Sequence, residues 1–395
     1  MARKWRRNRK RKRKSSSDLL DLPLDIIIDI LCRLPVKSII QCRRVCKTLR
    51  TIITSNPQFA ENHLSRSPVQ FLHQSGSFSR TFQLFEFQHE NDAAFSIPIK
   101  FNIKRSNLFV LSSCDGFLCL GDRSRFYNPV KMCNPVTGEY INLPEKGLDK
   151  RIEGVVVSGF GYSSISKQYK VVRWVRRKIA AREEHDNVAV VTELYTLGDE
   201  SWRRISDAPK FEYDIFMNFP SSANGVFLNG LFHWISYRKC GSYRSYYMVS
   251  FDFESEKFNV VLLAPSCRPK FTAMLNEVVV GVLGVCLFIN DSEFGLWVMK
   301  DYGVQESWTR LSCSSHNMHF LPIKYLRDGK KIMLGSYTKM GFRWYDPTKA
   351  PPDCFGTINL PAVPRRGLFK IIAHIPSFFS FKDLMKQRQQ GPLTF

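Results

Sequence analysis

The stretch "LSSCDGFLCLGDRSRFYNPVKMCNPVTGEYINLP", residues 111–144, is a series of short apolar runs cut by turn residues, with no 3.6-residue periodicity through it. Runs of this kind are strands. Within it, "MCNPVTGEYINLP" has Asn134-Pro135 to start a turn, Gly138 for a positive-φ position and a returning run with Tyr140 and Ile141, which together make a hairpin. The same logic returns in "LYTLGDESWRRI" (194–205), "SFDFESEKFNVVLL" (250–263), "LWVMKDYGVQESWTRL" (296–311) and "RWYDPTKAPPDCFGTINL" (343–360).

Ahead of each hairpin stands a further apolar run: "FLCL" at Phe117, "KVVRWV" at Lys170, "FHWI" at Phe232, "CLFI" at Cys286 and "KIMLGS" at Lys331. Their starts lie 53, 62, 54 and 45 residues apart, a spacing that fits the blades of a β-propeller with kelch-sized repeats of about 50 residues. Five copies are visible. "VQFLHQ" and "TFQLFEF" upstream, combined with "LFKIIAHIPSFFSF" near the C-terminus, are expected to supply a sixth and to close the ring with strands from both ends.

The region before these repeats has a different period. Apolar residues at Ile26, Ile27, Ile30, Leu31 and Leu34 mark one helix face, with Asp25 and Asp29 opposite; Asp21 and Pro23 suit a helix start and Pro35 stops the pattern. A second short helix is expected from about Lys37 with Ile39 and Ile40. A third runs from about Val45 to Ser55, with Val45, Leu49, Ile52 and Ile53 facing inward, and ends before Asn56-Pro57. Three helices in some forty residues carry more Ile and Leu than they can hide from one another. The spare apolar face requires a partner. Arg43, Arg44, Lys47 and Arg50 read as a solvated helix face.

Composition bounds the rest. The chain has 395 residues, 44% hydrophobic and 24% charged, with 31 Phe, 14 Tyr and 7 Trp, enough apolar material to bury a core over most of its length. Its net charge is +23, of which ten positive charges fall in "RKWRRNRKRKRK", Arg3 to Lys14, leaving +13 for everything else. A block of like charges cannot bury itself, so residues 1–17 are expected to form a disordered basic arm; Arg6, Arg7, Arg9, Lys10, Arg11, Lys12, Arg13 and Lys14 have the composition of a nuclear-import address read by an import receptor. Weak, salt-sensitive affinity for nucleic acid is the other property such an arm brings.

Eleven cysteines do not imply disulfides here, since no apolar segment of a secretory signal follows the basic start, and a reducing compartment is expected. The longest apolar run, Val278 to Ile289, is well short of the roughly 20 residues a membrane helix needs. No membrane partner is expected. Cys42 and Cys46 could form one zinc-ligand pair, but no second pair follows and His63 and His73 stand alone, so no metal is expected; His316 and His319 read as loop residues. "GFGYSS" lacks the G-x-S-x-G elbow, and no P-loop, HExxH or dinucleotide fingerprint occurs, so neither a catalytic residue nor a cofactor is assigned. Cys114, Asp115 and His233 belong to the strand pattern.

Asp21 to Leu64, "DLPLDIIIDILCRLPVKSIIQCRRVCKTLRTIITSNPQFAENHL", resembles an F-box: Leu22-Pro23, then Ile30-Leu31 leading to Leu34-Pro35-Val36-Lys37-Ser38, then Val45-Cys46-Lys47, then Ile53 and a closing Asn56-Pro57-Gln58-Phe59. The resemblance implies docking onto a Skp-type adaptor, and through it a cullin, with Leu22, Pro23, Ile26, Ile30, Leu34, Pro35, Val36, Val45 and Cys46 as contact or contact-shaping positions. It departs at Leu49, where such sequences usually carry Trp, and weaker adaptor affinity is the expected cost. The segments after it, above all residues 111–144, "SGFGYSSISKQYKVVRW" and "GVFLNGLFHWIS", resemble the F-box-associated domain common in plant F-box proteins.

The expected architecture is α+β by domain: a basic arm (1–17), a three-helix F-box (18–64), a linker (65–82), an all-β propeller-like domain (83–385) and a tail (386–395). The resemblance implies a non-catalytic substrate-recognition subunit of a Skp-cullin-F-box ubiquitin ligase with no cofactor; the expected location is nuclear, with the cytoplasm as a second compartment. Its β domain would hold a target protein, with "RWVRRKIAAREEH" (173–185) and "ISYRKCGSYRSYY" (235–247) suggesting a basic, aromatic edge suited to an acidic one. The alternative is a nuclear nucleic-acid-associated regulator acting through the arm.

Overall fold

The computed structural model describes residues 19–75, 81–86, 95–100, 108–122, 128–145, 152–178, 188–205, 225–240, 243–261, 263, 272–279, 282–290, 293–314, 320–325, 332–336, 342–346, 348–349, 353, 355–358 and 369–389. The basic arm, His316, His319, residues 179–185 of the first basic stretch and the last six residues of the tail lie outside them.

Helices open the chain: α1 (Leu24–Cys32), α2 (Val36–Cys42), α3 (Lys47–Ser55) and α4 (Pro57–Arg66). Strands follow: β1 (Gln70–Ser75), β2 (Thr81–Glu86) and β3 (Phe95–Lys100); β4 (Leu108–Cys114), β5 (Phe117–Asp122), β6 (Asn128–Cys133) and β7 (Tyr140–Asn142); β8 (Ile152–Ser163), β9 (Gln168–Lys178), β10 (Val188–Thr196) and β11 (Arg203–Ile205). Then come β12 (Val226–Leu228), β13 (Leu231–Cys240), β14 (Tyr243–Asp252) and β15 (Phe258–Val261); β16 (Thr272–Val279), β17 (Val282–Asn290), β18 (Glu293–Met299) and β19 (Trp308–Ser314). The chain finishes with β20 (Phe320–Tyr325), β21 (Ile332–Ser336), β22 (Phe342–Tyr345), β23 (Phe355–Ile358), β24 (Phe369–His374) and helix α5 (Phe381–Gln389).

These strands form six four-stranded antiparallel sheets, the blades of a propeller. Blades 2 to 6 each use four consecutive strands. Blade 1 has the order β24-β1-β2-β3, so the C-terminal strand is inserted as the inner strand beside β1, with Gln70 opposite His374 through Ser75 opposite Phe369. Both ends of the chain close the ring, as the apolar runs suggested. The five quoted hairpins are the third and fourth strands of blades 2 to 6, while the recurring runs that precede them are the second strands. The inner strand of each blade precedes that run, and inner strands of neighbouring blades touch around the axis, as β4 does β8 and β16 does β20.

Blade-to-blade packing explains the composition of the strands. All six residues of β5 are buried, which is the pattern of a strand covered on both faces. At the seam between blades 3 and 4, Trp174 and Trp234 are fully buried with ring centroids 4.1 Å apart. In "GFGYSS", a Cβ at Gly159 would lie 2.4 Å from the Phe232 ring and one at Gly161 2.3 Å from Phe253, so these glycines let the next blade approach.

Three expectations need correction. The third helix does stop before Asn56-Pro57, but the three expected helices are joined by a fourth: Pro57 sits at the first turn of α4, whose N-cap Asn56 accepts a hydrogen bond from the Phe59 N–H at 2.9 Å. Residues 65–82 are not a free linker: α4 runs to Arg66 and β1 begins at Gln70. α5 likewise crosses the expected start of the tail at residue 386.

A charged group is buried between blades 2 and 3. Arg173 is fully buried; its Nε and Nη2 donate to Glu193 at 2.9 and 2.6 Å, its Nη1 donates to Asn128 of blade 2 at 2.6 Å, and its guanidinium stacks 3.8 Å from the Trp202 ring centroid. This fork is satisfied only as a whole. Arg173→Ala strands the Glu193 carboxylate in the interior and should cost about 3–5 kcal/mol in urea denaturation, whereas removing an exposed arginine such as Arg204 should change stability by roughly 0.5 kcal/mol or less.

Candidate docking surface

α1 is apolar on two sides. Ile27, Ile28, Leu31 and Cys32 are buried, whereas Leu22, Leu24 and Ile26 are 41%, 49% and 45% exposed, and Ile30 is half-buried. The single apolar face expected from the spacing is thus divided, with Ile26, an expected contact position, on the outside. Val45, expected inside, is 73% exposed, because α3 starts only at Lys47 and leaves Val45 in the preceding turn.

The other expected contact positions divide by burial. Pro23 is exposed and precedes α1; Leu34, Pro35 and Cys46 are half-buried; Val36 is 2% exposed and belongs to the core, so it can shape a contact but cannot make one. Cys46 caps α3, its Sγ accepting from the Leu49 N–H at 3.5 Å. Leu49, at the position of the usual Trp, is 5% exposed and packs in the core. The missing aromatic is therefore an interior matter rather than a lost surface anchor.

Beside Val45 lies a cationic groove. Arg43, Arg44, Lys47 and Arg50, with Cys46 and Thr54, line an open cavity of about 660 Å³ along the turn and the start of α3. Asp29 lies elsewhere, on α1, where Arg66 and then Arg33 hold its carboxyl below the usual carboxylate range, the Arg66 pair tying α1 to α4.

What holds this surface in place was not visible in the helix periodicity. Residues of all four helices form one contiguous apolar cluster with Leu72, Phe82 and Leu84 of blade 1, Leu108, Val110, Leu118, Leu120 and Val130 of blade 2, and Phe378. Phe378 is the wedge. Its ring centroid lies 5.4 Å from Phe59 and 4.8 Å, edge-on, from His63 of α4. The segment that carries it is pinned to blade 2 at both ends: the Asn134 side-chain amide donates to Ser377 O and Phe379 O at 3.1 and 2.9 Å, and Glu139 accepts from the Ser380 hydroxyl and the Phe381 N–H at 3.1 and 3.0 Å. Phe381 then packs on Phe117 at 4.6 Å, and Gly116, at φ +83, admits Ser377 where a Cβ would clash at 2.2 Å. Asn134 also accepts from the Val136 and Thr137 N–H groups, so one asparagine both makes the expected turn and clamps the C-terminal segment.

Cys114 and Asp115 lie at the β4–β5 turn of blade 2 and His233 on β13 of blade 4, so the three do not come together as a catalytic triad. His233 bonds Tyr302 Oη at 2.6 Å, while Asp115 accepts from Tyr169 Oη at 3.3 Å in a different blade pair. Among the described residues no group of three or more His, Cys, Asp or Glu could hold a metal.

The F-box domain family model matches residues 19–60, and that of the F-box associated beta propeller domain matches residues 69–339. Among curated relatives in Arabidopsis thaliana, "F-box protein CPR1" is 28% identical over 350 residues, 82% of each chain. "F-box protein At3g07870" is 27% identical, covering 82% of this chain and 75% of its own length. "Putative F-box protein At1g46984" is 30% identical, covering 77% and 75%.

Two measurements check this construction. Phe378→Ala should cost about 3–5 kcal/mol, since it empties a site enclosed by two domains, and should make the F-box helices unfold in urea before the propeller. Burial pushes the rings of His63, His73 and His233 down to about 4 and that of His374 to about 3. Their unfolded counterparts titrate near 6.5, so between about pH 6.5 and 4 the unfolded chain binds more protons and stability falls as pH falls. Thermal melting should drop steadily over that window, and His63→Gln should shallow the drop.

Proposed function

Because this chain belongs to the F-box proteins that carry an F-box associated beta propeller domain, we propose that it is a substrate-recognition subunit of a Skp-cullin-F-box ubiquitin ligase. The observation that carries this reading is a set of exposed apolar side chains, Leu22 just ahead of α1, Ile26 on α1 and Val45 in the turn before α3, on a domain whose other side is locked into the propeller core. Monomeric domains rarely leave such side chains uncovered together. A Skp-type adaptor is the partner this surface fits, with Leu34, Pro35 and Cys46 at its edge and Val36 supporting it from beneath.

The subunit contributes position rather than chemistry. The adaptor end fixes the chain on a cullin and the propeller holds a target protein, which raises the effective concentration of its lysines near the ubiquitin carrier. A shared core between the two ends suits that task, since a loose joint would spread the target over a larger volume. The arm at residues 3–14 supplies the import signal for a nuclear protein.

Ile26→Glu and Val45→Glu should each abolish co-precipitation of a purified Skp-type adaptor at moderate salt while leaving the melting temperature nearly unchanged, because both side chains are exposed. Retention of binding in both would exclude this surface as the dock. Deleting residues 1–14 should leave adaptor binding intact and shift a fluorescent fusion out of the nucleus, and an unchanged distribution would exclude the arm as the import signal.

A further inference from the structure

Between Asp29 and Glu61 the sequence has no acidic residue, while six cations fall in that interval: Arg33, Lys37, Arg43, Arg44, Lys47 and Arg50. The last four share the groove beside Val45, and no carboxylate lines it. Elsewhere basic side chains are matched: Arg33 and Arg66 share Asp29, Lys170 and Arg203 share Glu256, and Arg173 takes Glu193. Among the described residues no carboxylate pairs with Arg43, Arg44, Lys47 or Arg50.

The backbone under these cations is fixed. The N–H groups of Arg43, Arg44 and Val45 donate to Ile39 O, Gln41 O and Cys42 O at 3.1, 2.9 and 3.0 Å, which closes the turn after α2. Cys46 then caps α3, and the Arg50 N–H donates to Cys46 O at 3.1 Å. Lys47, Arg50 and Thr54 follow at i, i+3 and i+7 along one side of α3, opposite the buried Leu49, Ile52 and Ile53. Arg44, Lys47 and Arg50 are exposed and Arg43 is half-buried. Like charges three apart on a helix repel, so the cluster works against the stability of the free chain, as binding surfaces commonly do.

Val45 decides between the anions such a groove could meet. It is 73% exposed and stands between Arg44 and Cys46 in the groove wall. A nucleic acid would take the cations through its phosphates and leave that side chain uncovered. A protein interface instead buries apolar side chains at its centre and sets charge around them. We propose, on the reading of this chain as a substrate-recognition subunit, that the groove receives an acidic segment of the adaptor itself, beside the apolar contact at Val45. Charge then governs how fast the two proteins meet, and the apolar contact how long they stay together.

The test follows association and dissociation of the full chain on an immobilised, purified Skp-type adaptor at low and at high salt. Lys47→Gln/Arg50→Gln should associate about tenfold more slowly at low salt, dissociate at nearly the wild-type rate and lose most of the salt dependence. Its melting temperature should equal or exceed that of the wild type, which a damaged fold cannot produce. Arg204→Gln/Lys257→Gln removes the same charge from the propeller surface and should associate as the wild type does; the basic arm is common to all three proteins and cancels. Wild-type association by the groove variant would overturn the proposal and leave the receptor reading standing. Equal slowing by the propeller variant would also overturn it, since net charge alone would then act. So would duplex DNA that binds the wild type, is weakened by the groove substitutions and leaves adaptor binding untouched. Absence of adaptor binding by the wild type at both salts would sink the receptor reading itself, and the groove's occupant with it.

Discussion

The antiparallel pairing of β24 with β1 is the constraint on which the rest of the molecule depends. A propeller of six sheets has an open seam wherever its first and last strands fail to meet, and here six residue pairs from Gln70–His374 to Ser75–Phe369 close it. That closure brings residue 378 within reach of residues 59 and 63, which are separated from it by almost the whole chain. Asn134 and Glu139 then hold the C-terminal segment against blade 2, and the F-box helices find a core to complete their own. Without the closing strand, none of these contacts has a geometric reason to form.

The pieces of this fold that were legible in the sequence are those written in local chemistry. Asn134-Pro135 and Gly138 announce their hairpin because turn geometry needs those residue types, and Gly138 does take φ +79. The recurring apolar runs announce blades because each must bury both faces against neighbours. The closing strand was legible by arithmetic, since five complete units left strands over at either end.

The features that were not legible depend on partners far away in the chain. The periodicity of residues 26–34 fits two opposed apolar faces as well as one, so burial of Ile27 and Ile28 rather than Ile26 is decided by the propeller beneath α1. Val45 looked like a helix residue on spacing alone, but Cys46 caps α3 and leaves it outside. Pro57 is ambiguous in the same way, since proline both ends helices and begins them, and only Asn56 as its cap decides.

The wedge formed by Phe378 also sets the order in which the protein can mature. During synthesis the F-box helices emerge first, with Phe59 and His63 facing a place that stays empty until more than three hundred further residues have been made; at translation rates of about 5–20 residues per second this interval is tens of seconds. A chain that stops early lacks both the inner strand of blade 1 and the support under its first domain. The fold thus ties the finished state of the earliest segment to the arrival of the last one, so that a truncated chain bears the defect at both of its working ends.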